Sequence, residues 1–570
     1  MVYCGKPSKS CGECRSRKIR CDQARPHCSQ CIRANRSCPG YRDHLSLLFR
    51  DQSQDVIRKA TAVTGTESRK AKKTRAQGAA RTGFPSGSSE SLGNGTVSLM
   101  DRNFSGNERR QQGLFQIMKQ AAQLLSPSML RPNPTTNEAV SFFIHSGLLR
   151  HFSWTKEDEM RLGAPRGSPS YQAMMASMAA VGMAMLSNVR KSSTMKVTAA
   201  REFGSALTLV NTALSDKVQA RSHFTLAAVL LLSIFEIVTS RRQEELDAWT
   251  NHAYGAAALL ELREAEQFQD ELGLRLFYQT RFQIIICCLQ TVSYFPPSVT
   301  KLLKSATFLP SGTFPYSENI MDINTKLTNL RADIKRAKIT SDAEILSAAY
   351  EIDAELTMWL ASLPPNFAFI TAGANSRLEK HCCGVFAYNN RYHIYPDLWI
   401  CSIWNHYRCA RILVGEIIAS ELKRFRNRTP AVSLSKDFQI QEQSIYDRVR
   451  ECATDICYSI PYYFGAADMG KVEGPSGDSS AHSISGRYAG SLIVLWFLTM
   501  AGTTDEVGSP LRNYTIDVLR IIGNEFGVGQ ALMLVGGLDN GSFYFGYERD
   551  DGDSEIFGQD FNGGILTSGS

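Results

Sequence analysis

The 570-residue sequence lacks a long apolar run. The longest, Leu226–Val238, covers about 13 residues and contains Glu236, whereas a membrane helix needs about 20. The first ten residues, MVYCGKPSKS, contain no apolar segment of the kind that a secretory signal requires. We therefore expect an intracellular protein that has no membrane partner and whose cysteines are reduced.

Enzyme signatures are also missing. The sequence contains no HExxH, no GxSxG, no GxxxxGK[ST] and no GxGxxG after a strand-like segment. Three other groups are more typical of a protein core than of a metal or catalytic site. They are His252 on a helical stretch, the pair Cys287–Cys288, and His381–Cys383, whose adjacent cysteines chelate one ion poorly. We predict that the protein is not an enzyme.

Alternating strand-like patterns are scarce, and apolar residues instead recur at helical spacing from about Gly113 onward. Most of these segments are apolar on several faces, which predicts a large all-α regulatory domain over 113–540 with a loop at 470–486. A Met-rich stretch between Met174 and Met185 is expected in its core. The predicted helical segments are 171–185, 226–238, 246–263, 277–289, 343–363, 398–418 and 488–500.

Positive charge is concentrated at one end of the chain. Residues 1–100 contain 19 Lys and Arg against 7 Asp and Glu, although the whole chain carries a net charge of only +8. We expect a small domain at 8–42, a short amphipathic helix at 45–63, a flexible basic linker at 64–112 and an acidic flexible tail at 541–570. The linker contains a candidate nuclear-import signal formed by Arg69, Lys70, Lys72, Lys73 and Arg75.

Six of the 15 cysteines form two copies of C-x2-C-x6-C, offset by 17 residues. In an intracellular protein this clustering indicates metal ligands rather than disulfides. A C-x2-C pair also places two sulfurs on one turn of backbone, close enough to share a tetrahedral ion. The predicted ligands are Cys11, Cys14, Cys21, Cys28, Cys31 and Cys38.

The number of sulfurs limits how metal is bound. Structural zinc takes four ligands, so two Zn²⁺ ions need eight ligand positions, which six sulfurs fill only if two are shared. The pseudo-symmetry of the repeat favours Cys11 and Cys28 as the shared pair. One zinc ion with two spare thiols is the alternative, but it gives no reason for a duplicated repeat. Because large apolar side chains are few, we predict that residues 8–40 fold only with zinc.

Basic residues fill the segments between the cysteines. A short helix predicted over Gly12–Ile19 carries cations in its C-terminal half, where the helix dipole favours them. Arg and Lys side chains there can contact guanine edges or phosphates; compensation of the thiolate charge is the alternative. We expect Pro26 to fix the loop between the halves. The candidate DNA contacts are Arg15, Arg17, Lys18, Arg20, Arg33 and Arg36.

The six-cysteine pattern resembles, without a gap, that of the fungal Zn(2)-Cys(6) binuclear cluster transcription factors. The resemblance implies that Cys11 and Cys28 bridge two zinc ions and that Lys18, beside Arg17, contacts CGG-type half-sites. It also assigns Pro26 to the linking loop. Residues of about 138–535, including LAAVLLLSIFEIVTS and DAWTNHAYGAAALLELR, are similar to the helical fungal-specific transcription factor domain.

Together these features predict a mainly α protein with a Zn2Cys6 domain, a linker and a helical regulatory domain. We expect a nuclear regulator of RNA polymerase II transcription that binds double-stranded DNA and contacts the transcription machinery or coactivators. The pattern at 45–63 is too short to decide between a monomer and a homodimer. Alternatives are a regulator whose helical domain binds a metabolite, an RNA-binding head, and an enzyme carrying a DNA-tethering head.

Overall fold

The structure is a computed structural model. It describes residues 10–24, 27–39, 135–146, 167–241, 246–305, 314–375, 378, 382–428, 435–466 and 484–542. Several predictions lie outside these residues: those for Pro26, for His381, for 45–63, for the linker with its basic run, and for all but the first two residues of the tail.

Two short helices belong to the cysteine region, and the first described helix of the larger domain begins at Thr136. The described helices of the first half of the chain are α1 (Gly12–Ser16), α2 (Ser29–Arg33), α3 (Thr136–His145), α4 (Pro169–Val189), α5 (Ser193–Ser215), α6 (Lys217–Ala220), α7 (His223–Thr239), α8 (Leu246–Arg263) and α9 (Glu271–Thr291).

The described chain also has three 3₁₀ turns, at Glu264–Phe268 between α8 and α9, at Pro365–Phe367 and at Tyr388–Asn390. The second half of the chain is helical as well. Its described helices are α10 (Pro297–Ser305), α11 (Phe314–Lys335), α12 (Asp342–Ser362), α13 (Leu398–Arg428), α14 (Lys436–Tyr463), α15 (Ile484–Thr503), α16 (Pro510–Glu525) and α17 (Gly529–Asp539).

Local sequence sets where several helices begin. Thr135 and Glu138 form a capping box at α3, in which each side chain bonds to the other residue's backbone N–H. Ser168 caps α4, with Pro169 as the first helical residue. Asp270 caps α9 by accepting from the backbone N–H of Gly273 at 2.7 Å.

Helix α4 is a core helix. Helices α3, α5 and α7 pack around it, and α3 approaches so closely that a Cβ on Gly182 would collide with the carbonyl oxygen of Ala139. By length and composition α4 could cross a membrane, but 78% of its most apolar 18-residue window is buried inside the protein. The core position expected for the Met-rich stretch is confirmed: Met174, Met178 and Met183 are buried.

One large apolar core runs through the described part of the larger domain, beside a small second cluster formed by Trp249, Ala253 and Cys287. Buried side chains from Ala139 to Leu538 form one contiguous cluster, in which α13 packs against α12 and α14. Two short strands, β1 (Ile370–Gly373) and β2 (Arg391–Ile394), pair antiparallel, with Ile370 opposite Ile394. The mainly α prediction is therefore confirmed, and this small sheet is the exception among the described residues.

Candidate metal centre and nucleic-acid interface

Each half of the cysteine repeat opens with a helix that a cysteine caps. Cys11 is the N-cap of α1, and its Sγ accepts a hydrogen bond from the backbone N–H of Cys14 at 3.3 Å. Cys28 is the N-cap of α2, and its Sγ accepts from the N–H of Cys31 at 3.4 Å. The sulfurs thus take the place that a Ser or Asp oxygen usually has. Because helices of five residues are unstable alone, these two depend on the sulfur cluster.

The six sulfurs form two overlapping groups of four. Cys11, Cys14, Cys21 and Cys28 make one group, Cys11, Cys28, Cys31 and Cys38 make the other, and the sulfurs within each lie within 4.8 Å of one another. The Sγ atoms of Cys11 and Cys28 are 3.6 Å apart, as are those of Cys11 and Cys31 and of Cys14 and Cys28.

This donor set fits zinc. Tetrahedral zinc with Zn–S bonds of about 2.3 Å has its sulfurs about 3.8 Å apart, close to the 3.6 Å separations of the cluster. The sulfurs are buried except for that of Cys38, which is half-buried. No other set of three or more His, Cys, Asp or Glu side chains in the described ranges could hold a metal.

The two halves also hold each other through the residues that follow their third cysteines. Asp22 accepts from the backbone N–H of Ser29, the first residue of α2, with both oxygens at 3.1 Å. Hydrogen bonding by Ser29 lowers the pKa of the Asp22 carboxyl. Pro39 packs against Gly12, the first residue of α1, so that a Cβ on Gly12 would lie 2.8 Å from its Cγ. Each half therefore supports the helix of the other.

The structure corrects the predicted extent of the first helix. Helix α1 ends at Ser16 rather than Ile19, because the backbone of Lys18 is left-handed, with φ of 54°. The N–H of Ile19 bonds to the carbonyl of Cys14 at 3.0 Å, which closes a Schellman motif. Asn35 repeats this geometry 17 residues later, with φ of 49°. Asn tolerates this conformation, whereas Lys at Lys18 has no such compensation.

The predicted cations take different positions around these helix ends. Arg17, Lys18, Arg20 and Arg33 are exposed, and within the described residues their side chains make no hydrogen bond or ion pair. Arg15 is half-buried and donates to the carbonyl of Ser10 at 3.2 Å.

Arg36 forms an ion pair with Glu13, with its Nη1 2.7 Å from Oε1. This pair connects the second half of the module to α1. Sequence reasoning missed the roles of Glu13, Asp22 and Asn35. Aligning the two halves of the repeat would have shown that Asn35 and Lys18 are equivalent. Such an alignment gives no signal for the ion pair between Arg36 and Glu13.

The sequence candidates described in the larger domain lie in its interior, except that Cys383 is half-buried, while its neighbour Cys382 is buried. Burial lowers the pKa of His252 to about 4, and its Nε2 lies 4.0 Å from Oε1 of Glu236. Cys287 and Cys288 are buried, as predicted, and burial raises their pKa values to about 12 and about 11.

Comparison with known proteins identifies both parts of the chain. Residues 9–47 match the fungal Zn(2)-Cys(6) binuclear cluster domain, which binds two zinc ions. Residues 116–377 match the fungal specific transcription factor domain, so the described core extends past this match to Leu538. Neither is an enzyme family.

A relative named transcription factor dbaG, from Emericella nidulans, is 29% identical over 140 residues. The alignment covers 25% of this chain and 30% of that protein. The chain thus spans under a third of the length of this curated relative. No solved structure matches the chain.

Proposed function

The chain has the domain composition of a fungal Zn(2)-Cys(6) transcription factor, and from it we propose a zinc-dependent nuclear regulator of RNA polymerase II transcription that recognises CGG-like half-sites in DNA. The observation that carries this proposal is the pair of overlapping sulfur groups that share Cys11 and Cys28. Cys11 and Cys28 cap the N-terminal ends of two helices whose C-terminal ends present exposed cations.

The six cysteines are the proposed zinc ligands, with Cys11 and Cys28 bridging. Bound zinc supplies the cross-links that so small a domain needs in place of an apolar core. The protein groups complete the scaffold: backbone N–H groups of Cys14 and Cys31 donate to the two bridging sulfurs.

DNA recognition is assigned to the ends of the two helices. Lys18, with Arg17 beside it, is the proposed contact to guanine edges in the major groove. Its left-handed backbone is a strained conformation for lysine, and such strain persists where surrounding structure enforces it. The proposed phosphate contacts are Arg15, Arg20, Arg33 and Arg36.

The ion pair with Glu13 does not remove Arg36 from this role. A guanidinium has five N–H donors, and Nη1 alone contacts Glu13 among the described atoms. Arg36 can therefore donate to a phosphate while it remains paired. Arg15 is more constrained, because it is half-buried against Ser10.

Localisation and assembly complete the proposal. The run Arg69–Arg75 is the proposed import signal, and the acidic tail is the proposed contact to coactivators or the transcription machinery. Homodimerisation through 45–63 would set the spacing of two half-sites. Apart from Gly541 and Ser542, these segments lie outside the described residues, and the sequence pattern supports their assignment.

Selection of bound duplexes from a random pool, with the zinc-loaded full chain, tests the proposal. We expect enrichment of CGG-like half-sites, and their spacing together with the oligomeric state of the complex would settle dimerisation. Competition between CGG duplex and structured RNA distinguishes DNA binding from RNA binding by the head. It is measured at about 150 mM salt, since the affinity of a basic module depends on ionic strength. Enrichment of no motif, or better competition by RNA than by CGG duplex, would contradict the proposal.

A metabolite-sensing role for the helical domain has one candidate place. A groove of about 1060 Å³ lies beside the N-terminal ends of α4 and α7 and combines apolar and charged side chains. A panel of small organic acids and amines, screened for a rise in the melting temperature of the full chain, tests this role. A rise that Phe224→Glu abolishes would support it, and no rise with any compound would exclude these ligand classes. Lining residues include Ser170, Leu214, Lys217, Arg221, Phe224 and Glu266.

A further inference from the structure

Three half-buried aromatic rings lie next to one another on the helical domain. The ring of Tyr388, in the 3₁₀ turn before β2, has its centroid 6.1 Å from that of Tyr458 on α14. Tyr514 of α16 is buried beneath them, with its ring 5.2 Å from those of Tyr388 and Phe386. Its hydroxyl donates to the carbonyl oxygen of Phe386 at 3.0 Å. The half-buried rings of Phe386, Tyr388 and Tyr458 are called the aromatic surface below.

Two exposed cations border the aromatic surface. Arg391 begins β2 and lies on the same face of that strand as His393, whose ring is 5.3 Å from that of Tyr458. Arg391 is exposed, and its side chain makes no hydrogen bond or ion pair within the described residues. Arg450, about two turns before Tyr458 on α14, has a side chain that is 64% exposed and pairs with Asp505 at 3.3 Å. The surface thus combines aromatic rings with guanidinium groups.

The described chain ends near the aromatic surface. A Cβ on Gly541 would lie 4.0 Å from Nη2 of Arg512, in the first turn of α16. Nη1 of the same guanidinium donates to the carbonyl oxygen of Asp505 at 3.0 Å, and the Asp505 carboxylate in turn pairs with Arg450. This series of contacts leads from the last described residue, Ser542, to the border of the aromatic surface.

The sequence after Ser542 complements that surface. Residues 543–547, FYFGY, are four aromatic residues and a glycine, and residues 548–555 contain five acidic residues and one arginine. An extended chain spans about 3.4 Å per residue, so residues 543–547 reach about 17 Å from Ser542. Aromatic side chains within this reach can pack edge-to-face or offset on the aromatic surface. The carboxylates that follow can pair with the unpaired guanidinium of Arg391.

We propose that the segment 543–555 docks on the aromatic surface of its own helical domain. The aromatic residues of FYFGY pack on Tyr388 and Tyr458, and the carboxylates that follow pair with Arg391. This contact goes beyond the proposed function, because it requires neither zinc nor DNA and persists if the tail contacts no coactivator. Where the tail does contact a coactivator, docking covers part of the acidic run, so the two contacts compete.

Photo-crosslinking in the full chain tests the proposal. Phe545 is replaced by p-benzoylphenylalanine, the zinc-loaded chain is irradiated, and the cross-linked peptides are mapped by mass spectrometry. We expect cross-links to the peptides that contain Tyr388 and Tyr458. The same probe at Phe561, beyond the acidic run, is the matched control and should show no preference for these peptides. A mixture of isotope-labelled and unlabelled chains separates contacts within one chain from contacts between two.

Charge reversal at the border of the surface tests the carboxylate contact. Arg391→Glu should lower the yield of these cross-links by about two- to fivefold, as the loss of one exposed ion pair requires. Arg201→Glu on α5 should leave the yield unchanged. Both arginines are exposed, so the variants should fold, which far-UV circular dichroism checks. A yield that Arg391→Glu leaves unchanged, or cross-links that form elsewhere, between two chains or not at all, would overturn the proposal.

Discussion

The Sγ atoms of Cys11 and Cys28 lie 3.6 Å apart, and both belong to each of the two four-sulfur groups. Each sulfur also accepts a backbone hydrogen bond at the start of its own helix. The pair therefore joins the two halves of the repeat and orients both helices at once. The predictions for metal content and DNA binding follow from this arrangement.

Metal content should depend on which cysteine is replaced. Cys38→Ser leaves the group of Cys11, Cys14, Cys21 and Cys28 complete, so this variant should keep one zinc ion. Cys28→Ser removes a sulfur from both groups and should lower the content below one. Native mass spectrometry counts the ions, with two expected for the wild type. Equal zinc content in both variants would show that Cys28 is not shared.

Chelation should unfold the head and spare the helical domain. The helices α1 and α2 have five residues each and no apolar core beneath them, whereas the larger domain has a continuous core. Excess EDTA should abolish binding to CGG duplexes, leave the helical circular dichroism nearly unchanged, and be reversed by added zinc. Loss of most helical signal on chelation would show instead that the larger domain also depends on metal.

Glu13→Gln tests the ion pair of the head. The pair is partly exposed, with side-chain exposures of 25% for Glu13 and 55% for Arg36, so its loss should cost at most about 1 kcal/mol. Removing a carboxylate beside the cations should tighten binding to all duplexes by a similar factor. Titrations against matched and mismatched duplexes check this, with the exposed Glu351→Gln on α12 as control. Loss of zinc or of sequence preference would mean that the pair is structurally required.

Gly182→Ala should destabilise the helical domain. The new Cβ would meet backbone of α3, which cannot move without separating α3 from α4, and overpacking of this kind costs about 1–3 kcal/mol. Gly536→Ala, in α17, meets nothing within 4 Å and should stabilise by about 0.5–1 kcal/mol. Chemical denaturation of both variants measures the difference. A neutral Gly182→Ala would show that the α3–α4 contact is looser than described.

Much of the helical domain follows from sequence periodicity. Helix α8 has the predicted bounds, Leu246–Arg263, and α7 extends the predicted 226–238 to the cap at Ser222. The small sheet was missed because β1 has four residues that are mostly exposed, without the alternation that marks a strand. Helix α15 begins at Ile484, inside the loop predicted for 470–486, so that prediction is wrong for its last three residues.

In the candidate sites, spacing predicts the sulfur cluster but not the geometry around it. The six cysteines are identified by their regular repeat, because the C-x2-C spacing requires nearby sulfurs. The left-handed backbone of Lys18 has no local signal, since lysine is a good helix former. The ion pair between Arg36 and Glu13 joins residues 23 positions apart, and only tertiary packing could reveal it.

The most direct test of the central claim is the sequence preference of Lys18→Asn. Asparagine occupies the equivalent left-handed position at Asn35, so this substitution removes the ammonium group while it suits the backbone. Affinities of the zinc-loaded wild type and variant are measured for CGG duplexes and for duplexes with one base pair changed. We predict that the variant keeps two zinc ions and loses about 1–3 kcal/mol of discrimination at one base pair. Uniform weakening for all duplexes would make Lys18 a phosphate contact and contradict the account.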